Sequence, residues 1–377
     1  MRKFFRITLL SLALLIVMVV AFVSIFFSVA PQVGQSADGA RLEKMKLATN
    51  YHDGKFWNLT ETSMDMSAGE MVRVTWDVLT GDPVRKPAEP LETRRLNPVK
   101  WDSVGRGNIG ITWFGHSSML IKIEGRVFLT DPMFSDRASM FSFAGPERFA
   151  YTHSMTADSL PAIDAVLISH DHYDHLDYNT IVALKDKVKH FFVPLGVGAH
   201  LERWGVPASS ITELNWWESV PLDDTIEITS APSRHFSGRG LTNRMSTLWT
   251  SWVIKGRFHR IYFSGDTGYS PSFKEIGDKY GPFNVTLMEC GQYNTKWKDI
   301  HMTPEQTVQA HRDLKGEVLI PMHWGKFNLA LHPWKEPVTR LEEEASRLNV
   351  TWCTPMIGET VIVPGYLPHK EWWKNYR

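Results

Sequence analysis

From residue 108 onward, short apolar blocks alternate with polar turns, and the block lengths separate into two kinds. Ile111–Phe114, Met119–Ile123 and Val127–Thr130 are too short for helices and are separated by Gly115 and by a turn at Glu124-Gly125, so they read as strands. Ala165–Ser169 opens as a continuous apolar run, the pattern of a strand buried on both faces. Further strands are expected at His190–Val193, Thr225–Ser230, Leu248–Ile254, Arg260–Ser264, Asn284–Glu289 and Val318–Pro321. Helical spacing appears at Asn179–Leu184, Pro271–Lys279, Pro304–Leu314 and Pro337–Leu348. The helix from Pro304 carries its own start signal: Thr303 as cap, proline in the first turn, and Gln306 three residues after the cap. Strands interleaved with helices imply an α/β fold with helices laid on sheet faces. In such folds chemistry gathers beyond the carboxyl ends of the strands.

Two stretches before residue 109 behave differently. Ile7 to Ala30 contains no charged residue and follows Arg2, Lys3 and Arg6. A secretory signal has an apolar region of about 7–15 residues, whereas about 20 suffice to cross a bilayer. The run therefore reads as a transmembrane anchor, with its basic flank in the cytoplasm and the rest of the chain on the non-cytoplasmic side, periplasmic in a bacterium. Ser28-Val29-Ala30 resembles a cleavage site, which leaves a secreted or periplasmic mature form as the alternative, although Pro31 follows directly. Residues 31–108 show little periodicity and are punctuated by Pro83, Pro87, Pro90 and Pro98. The expected organisation is an anchor at 1–30, an irregular arm at 31–108 that wraps the main domain, and an α/β domain at 109–377.

Composition narrows the partners. The formal net charge is zero, so there is no basic excess of the kind that neutralises nucleic-acid phosphates. Only two cysteines are present, Cys290 and Cys353, far apart and outside any zinc-ligand spacing, so no disulfide framework is expected. The 15 tryptophans and 20 phenylalanines suit either a large core or a surface that meets lipid. Trp216-Trp217 and Trp372-Trp373 are read as core.

The chemistry lies in Ser169-His170-Asp171-His172-Tyr173-Asp174-His175, three histidines and an aspartate spaced H-x-H-x-D-H. Imidazole and carboxylate are zinc ligands, and equally admit iron or manganese. His170 and His172 can share one metal while Asp174 and His175 hold a second. Six residues cannot enclose two ions, so further ligands must come from other strand ends. His235 follows the strand expected at Thr225–Ser230, Asp266 follows Arg260–Ser264, and His323 follows Val318–Pro321. No G-x-S-x-G element supports a serine hydrolase. His301, just before the capped helix, is a candidate proton donor to a leaving group. His116, in Phe114-Gly115-His116-Ser117, is placed either near the site or, as the favoured reading, in a hydrogen bond within the sheet.

This sequence of motifs resembles the metallo-β-lactamase superfamily, which implies an αββα sandwich with two zinc ions. The resemblance implies that His170, His172 and His235 bind the first ion, that Asp174, His175 and His323 bind the second, and that Asp266 bridges them. Asp131, in Thr130-Asp131-Pro132, matches the family's early aspartate, which supports the ligands from behind. Trp113-Phe114-Gly115-His116, Asp174-His175-Leu176-Asp177-Tyr178-Asn179, Trp216-Trp217-Glu218, Gly265-Asp266-Thr267-Gly268-Tyr269 and His323-Trp324-Gly325 together resemble the N-acyl-phosphatidylethanolamine-hydrolysing phospholipase D family over roughly residues 108–335. Tyr51–Asn58 resembles that family's amino-terminal arm. The resemblance implies a membrane phospholipid substrate, a metal-bridging hydroxide that attacks phosphorus, phosphatidic acid and an N-acylethanolamine as products, and a homodimer. Asp171 and Ile300 depart from the mammalian members, which have Asn and Gln there, and the Phe141-Ser142-Phe143 stretch also differs. Two other readings are another phosphodiesterase or lactonase of the same fold, and a membrane-tethered metal- or lipid-binding module without catalysis.

Overall fold

The computed structural model describes residues 2–63, 67–81, 83–240, 242–368 and 371–377. Its first element, α1 (Arg2–Val29), is a 28-residue helix exposed over most of its length, with Val23, Phe26 and Phe27 partly covered near its end. By length and composition it is long and apolar enough to cross a membrane. It stops where Pro31 forces Ala30 out of the helical region, to φ −65° and ψ 116°. The arm that follows is more regular than its sequence suggests. It contains α2 (Gly39–Lys46), a hairpin of β1 (Tyr51–His52) and β2 (Lys55–Phe56), α3 (Ala68–Thr80) and α4 (Pro98–Asp102). The hairpin turns on Asp53-Gly54, both with positive φ, the conformation that a two-residue hairpin turn demands. A capping box between Ser67 and Glu70 starts α3.

Two mixed sheets follow. The first runs β15 (Thr360–Val363), β3 (Ile109–Trp113), β4 (Met119–Ile123), β5 (Arg126–Thr130), β6 (Ile163–Leu167), β7 (Val188–Pro194) and β8 (Ile211–Leu214). The second runs β14 (Gly316–Met322), β13 (Phe283–Glu289), β12 (Arg260–Phe263), β11 (Ser251–Lys255), β10 (Glu227–Ala231) and β9 (Ser219–Pro221). Pairing is antiparallel from β15 to β5 and parallel from β5 to β8. In the second sheet β12, β13 and β14 are parallel and the rest antiparallel.

The sheets enclose one apolar core in which Trp113, Phe128, Trp252, Phe263 and Leu287 are fully buried or nearly so. Burying each such side chain is worth about 1.5–3 kcal/mol. Helices α5 (Tyr178–Leu184) and α6 (Gly198–Arg203) cover the outer face of the first sheet through Ile181, Leu184 and Leu201. Helices α7 (Ser272–Tyr280), α8 (Pro304–Asp313) and α9 (Glu336–Arg347) add Phe273, Val308 and Leu341 to the core. The architecture is the expected αββα sandwich. Cys290 and Cys353 are free and buried, as are Trp216, Trp372 and Trp373, while Trp217 is half-buried.

The strand expected at Leu248–Ile254 begins only at Ser251. Residues before it bond elsewhere: Leu248 N donates to Leu195 O and Thr250 N to Ser169 O, so this stretch ties the second sheet to the loops of the first. The arm hairpin lies on the same seam, where Phe56 packs with Leu195, Trp216, Leu248 and Trp249.

Candidate metal centre

Loops at the carboxyl ends of strands from both sheets meet at one place. From the first sheet come His116 after β3, Asp131 after β5 and the 170–175 loop after β6. From the second come His235 after β10, Asp266 after β12, Glu289 at the end of β13 and His323 after β14. The loops lock to one another through their backbones. His116 N donates to Trp324 O at 3.0 Å, and His323 N returns a bond to His116 O at 3.0 Å. Both residues hold positive φ, 54° and 65°, a conformation that costs a non-glycine residue and persists because the facing loops over-determine it.

All seven candidate ligands converge. Asp266 is the hub: its carboxylate oxygens lie 3.1 Å from His175 Nε2, 3.1 Å from His323 Nδ1, 3.8 Å from His235 Nε2 and 4.0 Å from His170 Nε2. His172 Nδ1 sits 2.8 Å from His170 Nε2 and 3.3 Å from His235 Nε2. Asp174 Oδ2 lies 3.4 Å from His175 Nε2. Two partly separate groupings result, His170–His172–His235 and Asp174–His175–His323 with His116, and Asp266 lies between them.

Hydrogen bonds behind the ligands set which nitrogen faces inward. His235 Nδ1 donates to Ile300 O at 3.0 Å, which leaves Nε2 as a lone pair pointing into the cluster. His175 Nδ1 bonds Asp131 Oδ2 at 2.7 Å. Asp131 also accepts from Ser169 N at 2.7 Å and Ser169 Oγ at 2.6 Å, and so fixes the start of the ligand loop. With Nδ1 thus engaged, His175 Nε2 faces the oxygens of Asp266 and Asp174. Among the described residues, His175 Nε2 and Asp266 Oδ1 are buried and have no hydrogen-bond partner. Imidazole nitrogens and carboxylate oxygens turned inward on one another at such short range fit divalent cations.

The electrostatics agree. Burial, reinforced by neighbouring imidazoles, pushes His170, His235 and His323 well below the ordinary imidazole value, so they are neutral and able to ligate. Burial takes His172 down to about 4. Burial pushes the Asp266 carboxyl up to about 6 even though His175 beside it pulls the other way. For His175 burial opposes the charge, but Asp266, Asp174 and Asp131 outweigh it and hold the ring well above its usual value. The pocket is short of positive charge, and bound cations would supply it.

Three residues extend the site beyond the favoured sequence reading. His116 does not bond within its sheet: its Nε2 meets Asp174 Oδ2 at 2.8 Å and its ring packs 4.1 Å from that of His323. The left-handed turn at 115–116, with both φ values positive, rotates the side chain off the strand and into the cluster. Buried Glu289 bonds His301 Nδ1 at 2.9 Å and accepts from Met302 N at 2.7 Å. The signal that could have found it is a carboxylate ending the apolar strand Phe283–Met288. From the arm, Asn58 Nδ2 donates to His235 O at 2.9 Å and its Oδ1 accepts from His235 N at 3.2 Å.

Above the cluster opens a cavity of about 370 Å³ whose walls include Phe236, Arg244, Trp297, Ile300, His301 and Leu329. Lys296, at its edge, pairs with Glu70 of α3. The site thus has a polar floor, an apolar wall and cations near the rim.

A family model described as the Beta-lactamase superfamily domain matches residues 126–324. An uncharacterised protein of Mycobacterium tuberculosis is 44% identical over 344 residues, covering 90% of this chain and 91% of that one. The N-acyl-phosphatidylethanolamine-hydrolyzing phospholipase D 1 of Caenorhabditis elegans is 39% identical over 245 residues, covering 62% of this chain and 68% of that protein. Among solved structures, Igni18, a metallo hydrolase from Ignicoccus hospitalis, superposes with TM-score 0.52 at 22% identity, over 68% of this chain and 98% of its own, and shares the fold. The chain belongs to the metallo-β-lactamase superfamily, in the branch that resembles N-acyl-phosphatidylethanolamine-hydrolysing phospholipase D, and is a metal-dependent hydrolase of that fold.

Proposed function

We propose that the chain is a dinuclear phosphodiesterase of membrane phospholipids that cleaves N-acyl-phosphatidylethanolamine to phosphatidic acid and an N-acylethanolamine. The observation that carries this reading is a convergence: seven inward-facing imidazole and carboxylate side chains lie beneath a cavity with apolar walls and a cationic edge. That combination suits an anionic diester with hydrocarbon tails.

His170, His172 and His235 would hold one ion, and Asp174, His175 and His323 the other, with Asp266 shared. Zinc suits the donor set, and iron or manganese would also be accepted. Such a pair, when bound, supplies Lewis acidity and a water nucleophile at neutral pH. The remaining work falls to the protein. Apolar Phe236, Ile300 and Leu329 exclude bulk water from around the diester. Glu289 anchors Nδ1 of His301, so the Nε2 edge is the one offered to substrate. As the phosphorus–oxygen bond to the ethanolamine side breaks, the departing oxygen takes up, by way of His301 Nε2, the proton that the attacking water gives up.

The helix α1 supports retention at a membrane, with its basic flank cytoplasmic and the catalytic domain on the other side. A mature chain beginning at Pro31 would instead establish a cleaved signal.

The substrate reading is tested with purified protein, metal analysis and vesicles of N-acylated or plain phosphatidylethanolamine, with His170→Ala as control. Turnover of N-acylated lipid, lost in the variant, is expected. Failure on both lipids together with rapid cleavage of a soluble phosphodiester or a lactone would replace the lipid reading with the other hydrolase reading.

A further inference from the structure

Immediately after α1 the chain does not simply link an anchor to a domain. Pro31–Gln35 is built into the back of the ligand loop by two separate connections.

The first is Arg239, which is 2% exposed. Its Nη1 donates to Asp171 O at 2.6 Å and to Leu176 O at 2.7 Å. Its Nε and Nη2 donate to Gln32 O at 3.0 and 2.8 Å. One planar guanidinium therefore grips the loop on either side of His172, Asp174 and His175 and ties both grips to Gln32. Stacking on Tyr173, with the guanidinium carbon 4.0 Å from the ring centroid, holds it in place.

The second is His200 on α6. Gln35 N donates to its Nδ1 at 2.9 Å, so the proton sits on Nε2, which meets Asp171 Oδ2 at 3.3 Å. Asp171 stands between His170 and His172, and its carboxylate also accepts from Gly238 N at 2.7 Å and Thr247 Oγ1 at 3.0 Å. Gly34 is pressed against this ring: a Cβ there would fall 2.0 Å from His200 Nδ1, and φ is +81°. Neighbouring contacts hold the segment down, with Trp204 Nε1 donating to Pro31 O at 2.6 Å.

We propose that Pro31–Gln35 is a positioning element of the metal loop, acting through Arg239 and His200, so that the seat of the membrane-length helix and the metal affinity of the site are coupled. Ligand groups must be held within about 0.5 Å of their working geometry, and residues behind the ligands do this. The inference rests on the reading that residues 170–175 hold metal.

The test uses the full chain in detergent micelles, with zinc affinity read by competition against a chromophoric chelator and the fold of the metal-free protein checked by circular dichroism. Gly34→Ala is expected to weaken zinc binding about 10-fold or more. Gly39→Ala shares a left-handed φ, +49°, but its Cβ would meet nothing within 4 Å, and it should stay within about twofold of the parent. In a His200→Ala background, which removes the ring that Gly34 abuts, Gly34→Ala should cost no further affinity, since the two act as one unit. Arg239→Lys, which cannot reach Gln32 O and both loop carbonyls together, should also weaken binding and serves if Gly34→Ala fails to fold. Unchanged zinc affinity in folded Gly34→Ala and Arg239→Lys, or an additive double variant, would overturn the proposal while leaving the metal centre intact. A parent chain that binds no zinc, iron or manganese would remove the metal reading itself.

Discussion

Floor and rim of the cavity are held in place by different means. Floor side chains leave the ends of paired strands, are almost wholly buried, and are fixed by bonds between adjacent loops, such as Asp131 to Ser169 and His116 to Trp324. The rim is assembled from pieces far apart in sequence: Phe236 and Arg244 from one loop, Gln292 to His301 from another, and the arm residues Asn58, Thr62, Ser63 and Glu70 laid against them. Arg234, for instance, donates to Thr62 Oγ1 and pairs with Asp299, which also accepts from Ser63 N. A sheet framework sets chemistry that tolerates little displacement. A draped arm braces the loops that wall the cavity.

If floor and rim divide the work in this way, the largest loss should come from a floor ligand. His170→Ala should drop metal content by about one ion per chain and turnover by about 10³-fold, since several kcal/mol of charge stabilisation go with the ion. Metal analysis beside a rate assay checks this, and parental content with parental rate would refute the assignment. Next is Asp131→Ala, which touches no substrate but frees His175 Nδ1 and Ser169; metal affinity should fall about 10- to 100-fold. Parental affinity by chelator competition would show the floor to be more tolerant than argued.

Glu289→Gln should lower kcat about 10-fold with KM little changed, because it disorients a proton donor rather than a binding group. Burial holds the Glu289 carboxyl well above its usual value, so the variant should also reshape the pH–rate profile; an unaltered profile would leave Glu289 without this role. At the rim, Asn58→Ala strands His235 N and O and should cost about 1–3 kcal/mol of stability with a KM effect larger than its kcat effect. The reverse pattern would move Asn58 to the floor.

A last effect, read in stability and not in turnover, lies behind both regions. Burial lowers the Lys326 amine to about 7, where it donates to the carbonyls of Met133 and Phe114. Between about pH 7 and the unfolded value near 10.5 the unfolded chain binds the extra proton, so stability rises with pH across that window. Lys326→Met should flatten that rise in denaturant titrations at several pH values. An equal slope in both proteins would show that Lys326 is not the source.

Much of the floor was legible because metal chemistry constrains residue type and spacing together. His170 to His175 form a local pattern, and the strand-end rule placed His235, Asp266 and His323. Helices laid on sheet faces followed from block lengths, the αββα sandwich from the family resemblance, and α1 from an uninterrupted apolar run. Strands β8 and β9 were missed because they are short, edge-lying and only partly buried, and β15 because a four-residue run, though mostly buried, is too short to stand out as a strand. Helix α3 was missed although Ser67-x-x-Glu70 announced it. Glu289 and Asn58 act across distances that no local pattern records: Asn58 meets His235 after 177 intervening steps of chain. For His116 the favoured reading failed and the alternative near the site held, because a left-handed turn reverses where a strand-end side chain points.

Drawing ligands from both sheets has a consequence for the lifetime of the protein. Each bound ion would cross-link two layers otherwise joined by apolar packing and loop bonds, so occupancy enters the folding equilibrium. Free ion at a thousand times its dissociation constant would add about 4 kcal/mol. Cells starved of the ion would hold a looser chain, exposed to proteolysis, and abundance of the enzyme would follow nutrient supply even with transcription constant.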